Sequence, residues 1–153
     1  MSTSKYVALI NQLCTMANIS TEQAHAPMAS FIIDDVGFTV IEASHNSEEA
    51  LTLFCDFGMP PSKQREKILA QLLYMNLAMQ GINTPAFAMH PETGHVVLTR
   101  RIVIDNLSAD DVINLMAEHA AHAMQWRENQ FLEAPQKSSS AQASKLRSAI
   151  AEN

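Results

Sequence analysis

The stretch from Ile68 to Met79 constrains this chain most, because it reads as a helix that is apolar on more than one side. Ile68, Leu72, Met75 and Met79 fall on one stripe at helical spacing, and Leu69, Leu73 and Leu77 fall on an adjoining one. A surface helix hides a single apolar stripe, whereas a helix with two must be covered from two directions. The rest of the chain supplies few elements for that task, so a symmetry mate is the economical cover. The expectation is a homodimer, the commonest soluble assembly, with Leu69, Leu72, Leu73, Met75, Asn76 and Met79 at its interface. Burial of one leucine contributes about 1.5–3 kcal/mol, so several per protomer suffice for a permanent dimer. Asn76 sits within the apolar half, either fixing register across the interface or satisfying a backbone group.

The flanks of this helix define its setting. Gly58-Met59-Pro60-Pro61 ends a preceding strand, Ser62 is placed to cap the helix, and Lys63 to Lys67 form a charged, solvated start. Gly81 is suited to the left-handed turn that ends a helix. Pro85 then opens an extended run, Ala86 to Met89, and His90-Pro91-Glu92-Thr93-Gly94 is turn chemistry. Val96 to Ile104 is rich in β-branched residues and reads as a strand, completing a helix, turn and β-hairpin.

Upstream, Thr3 or Ser4 caps a first helix running to about Ala17, with Tyr6, Leu9, Ile10, Leu13 and Ala17 on one stripe. A loop follows to Pro27. Three strands come next, Met28 to Ile33, Phe38 to Ala43 and Ala50 to Phe57, joined by connections short enough for an antiparallel meander. Asp34-Asp35-Val36-Gly37 is the first turn, with Gly37 relaxing φ. Each strand has one mainly apolar face. Ile32, Ile41 and Phe54 fall on the other face, where a sheet packed on helices should be polar, and they are candidates for a surface meant for another chain. Downstream, Ser108 with Asp111 three residues on approximates a capping box, and the third helix runs to about Glu128. Its stripe is Val112, Leu115, Met116, His119, Ala123 and Trp126.

The fold class is therefore α+β. Its order is helix, three strands, helix, two strands, helix, with an antiparallel twisted sheet packed on helices and homodimeric assembly. Residues 1–132 form the domain, and 133–153 change to a Ser-, Ala- and Gln-rich composition expected to be a polar, disordered tail.

Composition narrows the function. A net charge of -6 lacks the basic footprint of a nucleic-acid binder. Two cysteines, Cys14 and Cys55, are too few for a disulfide framework and read as buried small hydrophobes. No apolar run approaches membrane-spanning length, and the first helix is amphipathic rather than a signal peptide, so the expected location is cytoplasmic without membrane insertion. Nine methionines favour surfaces that fit varied apolar partners, or simply fill the core. No glycine-rich phosphate loop occurs. His119 and His122 stand one turn apart without further ligands nearby in sequence, and His90 and His95 flank a hairpin turn; neither pair makes a convincing metal site. With no catalytic residues, metal or cofactor indicated, a binding protein is expected rather than an enzyme. A small α/β enzyme or ligand-binding domain with a pocket between sheet and helix stays open, as does a plain scaffold dimer.

Several stretches in order resemble one family. These are F-I-I-D-D-V-G-F-T-V (Phe31 to Val40), L-T-L-F-C-D-F-G-M-P-P (Leu51 to Pro61), I-L-A-Q-L-L-Y-M-N-L (Ile68 to Leu77), H-P-E-T-G-H-V-V-L-T-R-R-I (His90 to Ile102), L-S-A-D-D-V (Leu107 to Val112) and Trp126-Arg127. Their order and spacing are similar to those of the class I type III secretion chaperones, the Tir-chaperone-like family, from about Lys5 to Glu128. The resemblance implies an acidic cytoplasmic homodimer without catalytic activity. It would bind the N-terminal segment of a secreted effector in extended form, keep it soluble and export-competent, and deliver it to the secretion apparatus, whose ATPase is a further expected partner. Mapped here, the effector-binding candidates are Leu9, Leu13, Ile32, Ile41 and Phe54. The loop after the first helix lacks the family's usual Gly-containing turn, and the tail is longer than typical.

Overall fold

A computed structural model of the chain describes residues 4–18 and 28–132; the expected tail at 133–153 lies outside the described residues. Eight elements follow in order: α1 (Lys5–Met16), β1 (Met28–Ile33), β2 (Val36–Glu42), β3 (Ala50–Gly58), α2 (Arg65–Met79), β4 (Ala86–Met89), β5 (Val96–Val103) and α3 (Ala109–Asn129). The strands form one antiparallel sheet in the order β1-β2-β3-β5-β4. β1 and β4 are thus its two edges.

Alternation along the strands sets an inner and an outer face. The inner face carries Ala29, Phe31, Val36, Phe38, Val40, Leu51, Leu53, Cys55, Phe57, Val96 and Leu98, all buried. α1 and α3 cover it, with Tyr6, Leu9, Ile10 and Leu13 from one helix and Val112, Met116, Ala120, Ala123 and Trp126 from the other. Trp126 meets Phe57 at 5.9 Å between ring centres, and Phe57 meets Phe87 edge-on at 5.2 Å. This aromatic row joins α3, the sheet and β4. α2 packs at the β4 edge and gives only Ile68 and Leu72 to the core.

The capping expectations divide. Ser4 caps α1 by accepting from the Val7 N–H, and Ser108 with Asp111 forms a full capping box on α3. The exchange with Ser108 holds the Asp111 carboxyl below its usual pKa. Ser62, by contrast, caps nothing. α2 starts at Arg65, behind Gln64 in a left-handed conformation without a side-chain cap. Glycine roles also differ from expectation. Asp34 and Asp35, with φ of 51° and 63°, make the β1–β2 turn themselves, so β2 begins at Val36 and Gly37 lies within the strand. Two consecutive positive φ angles match the right-handed twist of a hairpin, and aspartate tolerates them better than most residues. After α2, the positive φ belongs to Asn83 rather than Gly81.

Arg127 locks one end of the molecule. Its Nε donates to the Phe57 carbonyl at 2.9 Å, and its Nη groups donate to the carbonyls of Asp56 at 2.9 Å and Asp35 at 3.2 Å. The β3–β5 register shifts between Asp56 and Gly58, and Gly58 takes up φ +105° there, a conformation that favours glycine. One side chain therefore ties the end of α3 to a bulge and to the first hairpin turn.

Candidate interaction surfaces

The outer face of the sheet gathers three of the five expected effector contacts. β1–β2 register pairs Met28 with Ile41 and Ile32 with Gly37; β2–β3 register pairs Thr39 with Phe54 and Ile41 with Thr52. Ile41 and Phe54 are therefore diagonal neighbours, within reach of each other's side chains. Ile32 is 78% exposed, whereas Ile41 and Phe54 are half-buried. Gly37 has no side chain to fill the row between Ile32 and β3; a Cβ there would meet only the Asp56 Cβ, at 4.0 Å. The result is a shallow trough beside the β1 edge, apolar at Ile32 and at the Met28, Ile41 and Phe54 group, with Ser30 and Thr39 between them and Asp56 beside Gly37. Met28, 52% exposed and paired with Ile41, belongs to this surface and was not anticipated, although its parity with Ile32 was available in the sequence.

Leu9 and Leu13 lie elsewhere. They are 4% and 2% exposed and point into the core between α1 and the sheet. The stripe that makes α1 amphipathic is the one it spends on its own fold, so neither residue offers surface to a partner in this protomer.

The second surface is α2. Leu73, Tyr74 and Leu77 are exposed at 67%, 55% and 52%, and Ile82 beyond the helix is fully open. Leu69, Met75 and Met79 are half-buried. Two of the expected interface residues are committed within the protomer. Leu72 is 4% exposed in the core. Asn76 grips the edge strand: its Nδ2 donates to the Phe87 carbonyl at 2.9 Å and its Oδ1 accepts the Phe87 N–H at 2.6 Å. Of the two roles open for Asn76, the backbone one is observed.

The titratable groups noted in the sequence fall apart in space. His95 Nδ1 contacts both Asp56 oxygens, at 3.0 and 3.2 Å. His90 Nδ1 instead accepts the N–H groups of Glu92 and Thr93, so it holds its own turn. Among the described residues no group of three or more His, Cys, Asp or Glu is placed to hold a metal ion. Burial pushes the Cys55 thiol up to about 12 and raises Cys14, the reverse of what a nucleophile needs. A depression of about 400 Å³ opens between α1 and the start of α3, lined by Asn11, Gln12, Thr15, Met16 and Asp110. It is not between sheet and helix, and it brings no base to a nucleophile. No helix among the described residues is long and apolar enough to cross a membrane.

Comparison with known proteins agrees with this architecture. A search of curated sequences found no match. Among solved structures, the chain is similar to the ExsC-ExsE complex (22% identity, TM-score 0.62, covering 88% of this chain and 98% of the other). It is also similar to the HopA1-SchA chaperone-effector complex (19%, 0.59, 81% and 94%) and to the ExoT-SpcS complex from Pseudomonas aeruginosa (20%, 0.52, 81% and 98%). At such identities these likenesses establish the fold. The profile of the Tir chaperone protein (CesT) family matches residues 8–127, nearly the whole described fold, and the chain accordingly belongs to that family, the class I type III secretion chaperones.

Proposed function

We propose that this chaperone works as a cytoplasmic homodimer without catalytic activity. Each protomer holds the N-terminal segment of an effector in extended form and keeps it soluble and export-competent. The observation that carries this reading is that Met28, Ile32, Ile41 and Phe54 leave apolar surface on the outer face next to the β1 edge. An extended segment there adds a strand through main-chain hydrogen bonds and drops alternate side chains into the trough. The likeness to a solved chaperone-effector complex supports the same reading. Twinning occurs through α2, where Leu73, Tyr74 and Leu77 leave more apolar surface than a lone protomer hides. The secretion ATPase is the proposed recipient of the loaded complex.

The test is capture of a co-expressed effector by the tagged chaperone. Ile32→Asp and Phe54→Asp place a charge in the trough without touching the core, so each should abolish capture while the dimer persists in light scattering. Undiminished capture by both variants would move the binding surface elsewhere.

A further inference from the structure

β5 carries one residue that the fold of a single protomer does not explain. Arg100 shares the inner face with Leu98, two positions before it, and lies directly beside Leu53 of β3. A guanidinium here stands on the apolar side of the sheet. Its Nε is fully buried and has no hydrogen-bond partner, and no ion pair to Arg100 occurs among the described residues. Facing it is His119 of α3, whose backbone carbonyl sits over the Cys55 thiol one diagonal step from Arg100. His119 is 5% exposed, and both its ring nitrogens are likewise unpartnered. The two side chains are close enough for the Arg100 charge to disfavour protonation of the imidazole. Arg100 as a whole is half-buried, but an N–H held out of water without a partner is costly, and native proteins rarely keep one. An arginine fork fits a carboxylate.

The position of Arg100 narrows the source of that carboxylate. It lies on the face opposite the effector trough and in the α2–β4 half of the sheet. β4 begins with Ala86 opposite Thr99, so Arg100 is level with the chain that leads from the end of α2 into β4. The α2 surface that stays exposed, Leu73, Tyr74 and Leu77, is toward that same end of the helix. In a two-fold pairing of α2 with its copy, helices running antiparallel set the first turn of one beside the last turn of the other. The only carboxylate on α2 is Glu66, in its first turn and exposed.

We propose that Arg100 is the acceptor for a carboxylate of the second copy, Glu66, giving two symmetry-related ion pairs that fix the register of the α2 pairing. The inference rests on the proposed dimer and adds to it a polar determinant of geometry. A close, desolvated pair of this kind contributes strongly to affinity, while apolar contact supplies the bulk.

The experiment is sedimentation of the full chain over a concentration series, for wild type, Arg100→Glu, Glu66→Arg and the double exchange. Arg100→Met, which keeps an apolar stem on the inner face, guards against loss of folding, and circular dichroism checks each variant. The single charge reversals and Arg100→Met should each weaken the dimer at least about tenfold, and the double exchange should recover most of the loss. Singles that leave the dissociation constant unchanged would overturn the pair, as would a double exchange no better than the sum of its parts. Loss of effector capture with an intact dimer would overturn it too, by assigning Arg100 to an acidic segment of the client. A wild type that stays monomeric throughout would instead remove the proposed dimer itself.

Discussion

Asn76 makes the most local claim about how this sheet is protected. Residues of an antiparallel strand direct both backbone groups toward a partner or both away from it. Phe87, at the middle of β4, turns its N–H and C=O outward, and the Asn76 carboxamide meets both as a neighbouring strand would. Asn76→Ala removes two hydrogen bonds, worth about 1 kcal/mol each. Phe87 is half-buried, so water recovers part of that loss, and a destabilisation of about 1–2 kcal/mol is expected. Asn76→Asp keeps the shape and the bond from the Phe87 N–H, but turns a carboxylate oxygen on the Phe87 carbonyl. At neutral pH it should cost more than alanine, about 2–3 kcal/mol. The new carboxyl has its pKa raised on folding, because the folded state favours the protonated form that can donate. Its deficit therefore shrinks as pH falls toward and below the ordinary aspartate value of about 3.9. Urea unfolding at one fixed protein concentration measures all three proteins, since the stability of the proposed dimer would vary with concentration. Amide exchange at Phe87 reports the edge directly. Both variants within about 0.5 kcal/mol of wild type, with unchanged exchange at Phe87, would refute the assignment.

Two further outcomes follow from burial. Leu73→Asp with Leu77→Asp should yield a folded monomer in light scattering, because both side chains are exposed in the protomer, whereas Leu72→Asp should unfold it, because that residue is in the core; a persistent dimer in the first case would take α2 out of the interface. His119 should make the protein acid-sensitive: burial foremost, then Arg100 of β5 and His122, lower its pKa to about 4, with Glu118 opposing and the neutral Cys55 thiol below it. Above about pH 6.5 both states carry a neutral imidazole and stability is full; as pH falls from there toward 4 only the unfolded chain takes up the proton, so up to about 3 kcal/mol is lost. Urea unfolding of wild type and His119→Leu at pH 7.5 and about pH 4.5 should show a smaller acid loss in the variant, and equal losses would exclude His119 as the cause.

Element order was legible because periods of 2 and 3.6 are written in apolar residues that the core actually uses. Leu51, Leu53, Cys55 and Phe57 alternate in sequence and are all buried in the structure. Boundaries set by backbone conformation were less legible. A left-handed residue is easily assigned to the nearest glycine, yet here Asp34, Asp35, Gln64 and Asn83 take that role while Gly37 and Gly81 do not. The interaction surfaces were half legible for a related reason. Outer-face residues such as Ile32 break an alternation and so stand out, but Leu9 and Leu13 obey one, and an obeyed stripe marks the side that folding consumes. The doublet Arg100-Arg101 shows the remaining gap. Alternation requires one of the two to face inward, but only the register with Leu53 and Thr52 says which: Arg101 takes the outer face and pairs with Glu48 at 3.0 Å, leaving Arg100 inside.

The strand order also separates the two proposed surfaces in a way that bears on how a client is held. β1 and β4 are opposite edges of a five-stranded sheet. At about 4.8 Å between neighbours they stand roughly 19 Å apart. Asn76 occupies the outward groups at the middle of β4, which favours β1 for a client strand, and the proposed pairing through α2 beside β4 would leave both β1 edges free at the far ends of the dimer. The two edges are then on the order of 40 Å apart. An extended chain advances about 3.3 Å per residue, so one effector segment engaging both protomers needs at least about a dozen residues between its contacts, and more if it curves over the surface. Such a client would have to be unfolded along that length, which would make its extended state a geometric requirement of the proposed dimer and not only a consequence of weak client structure.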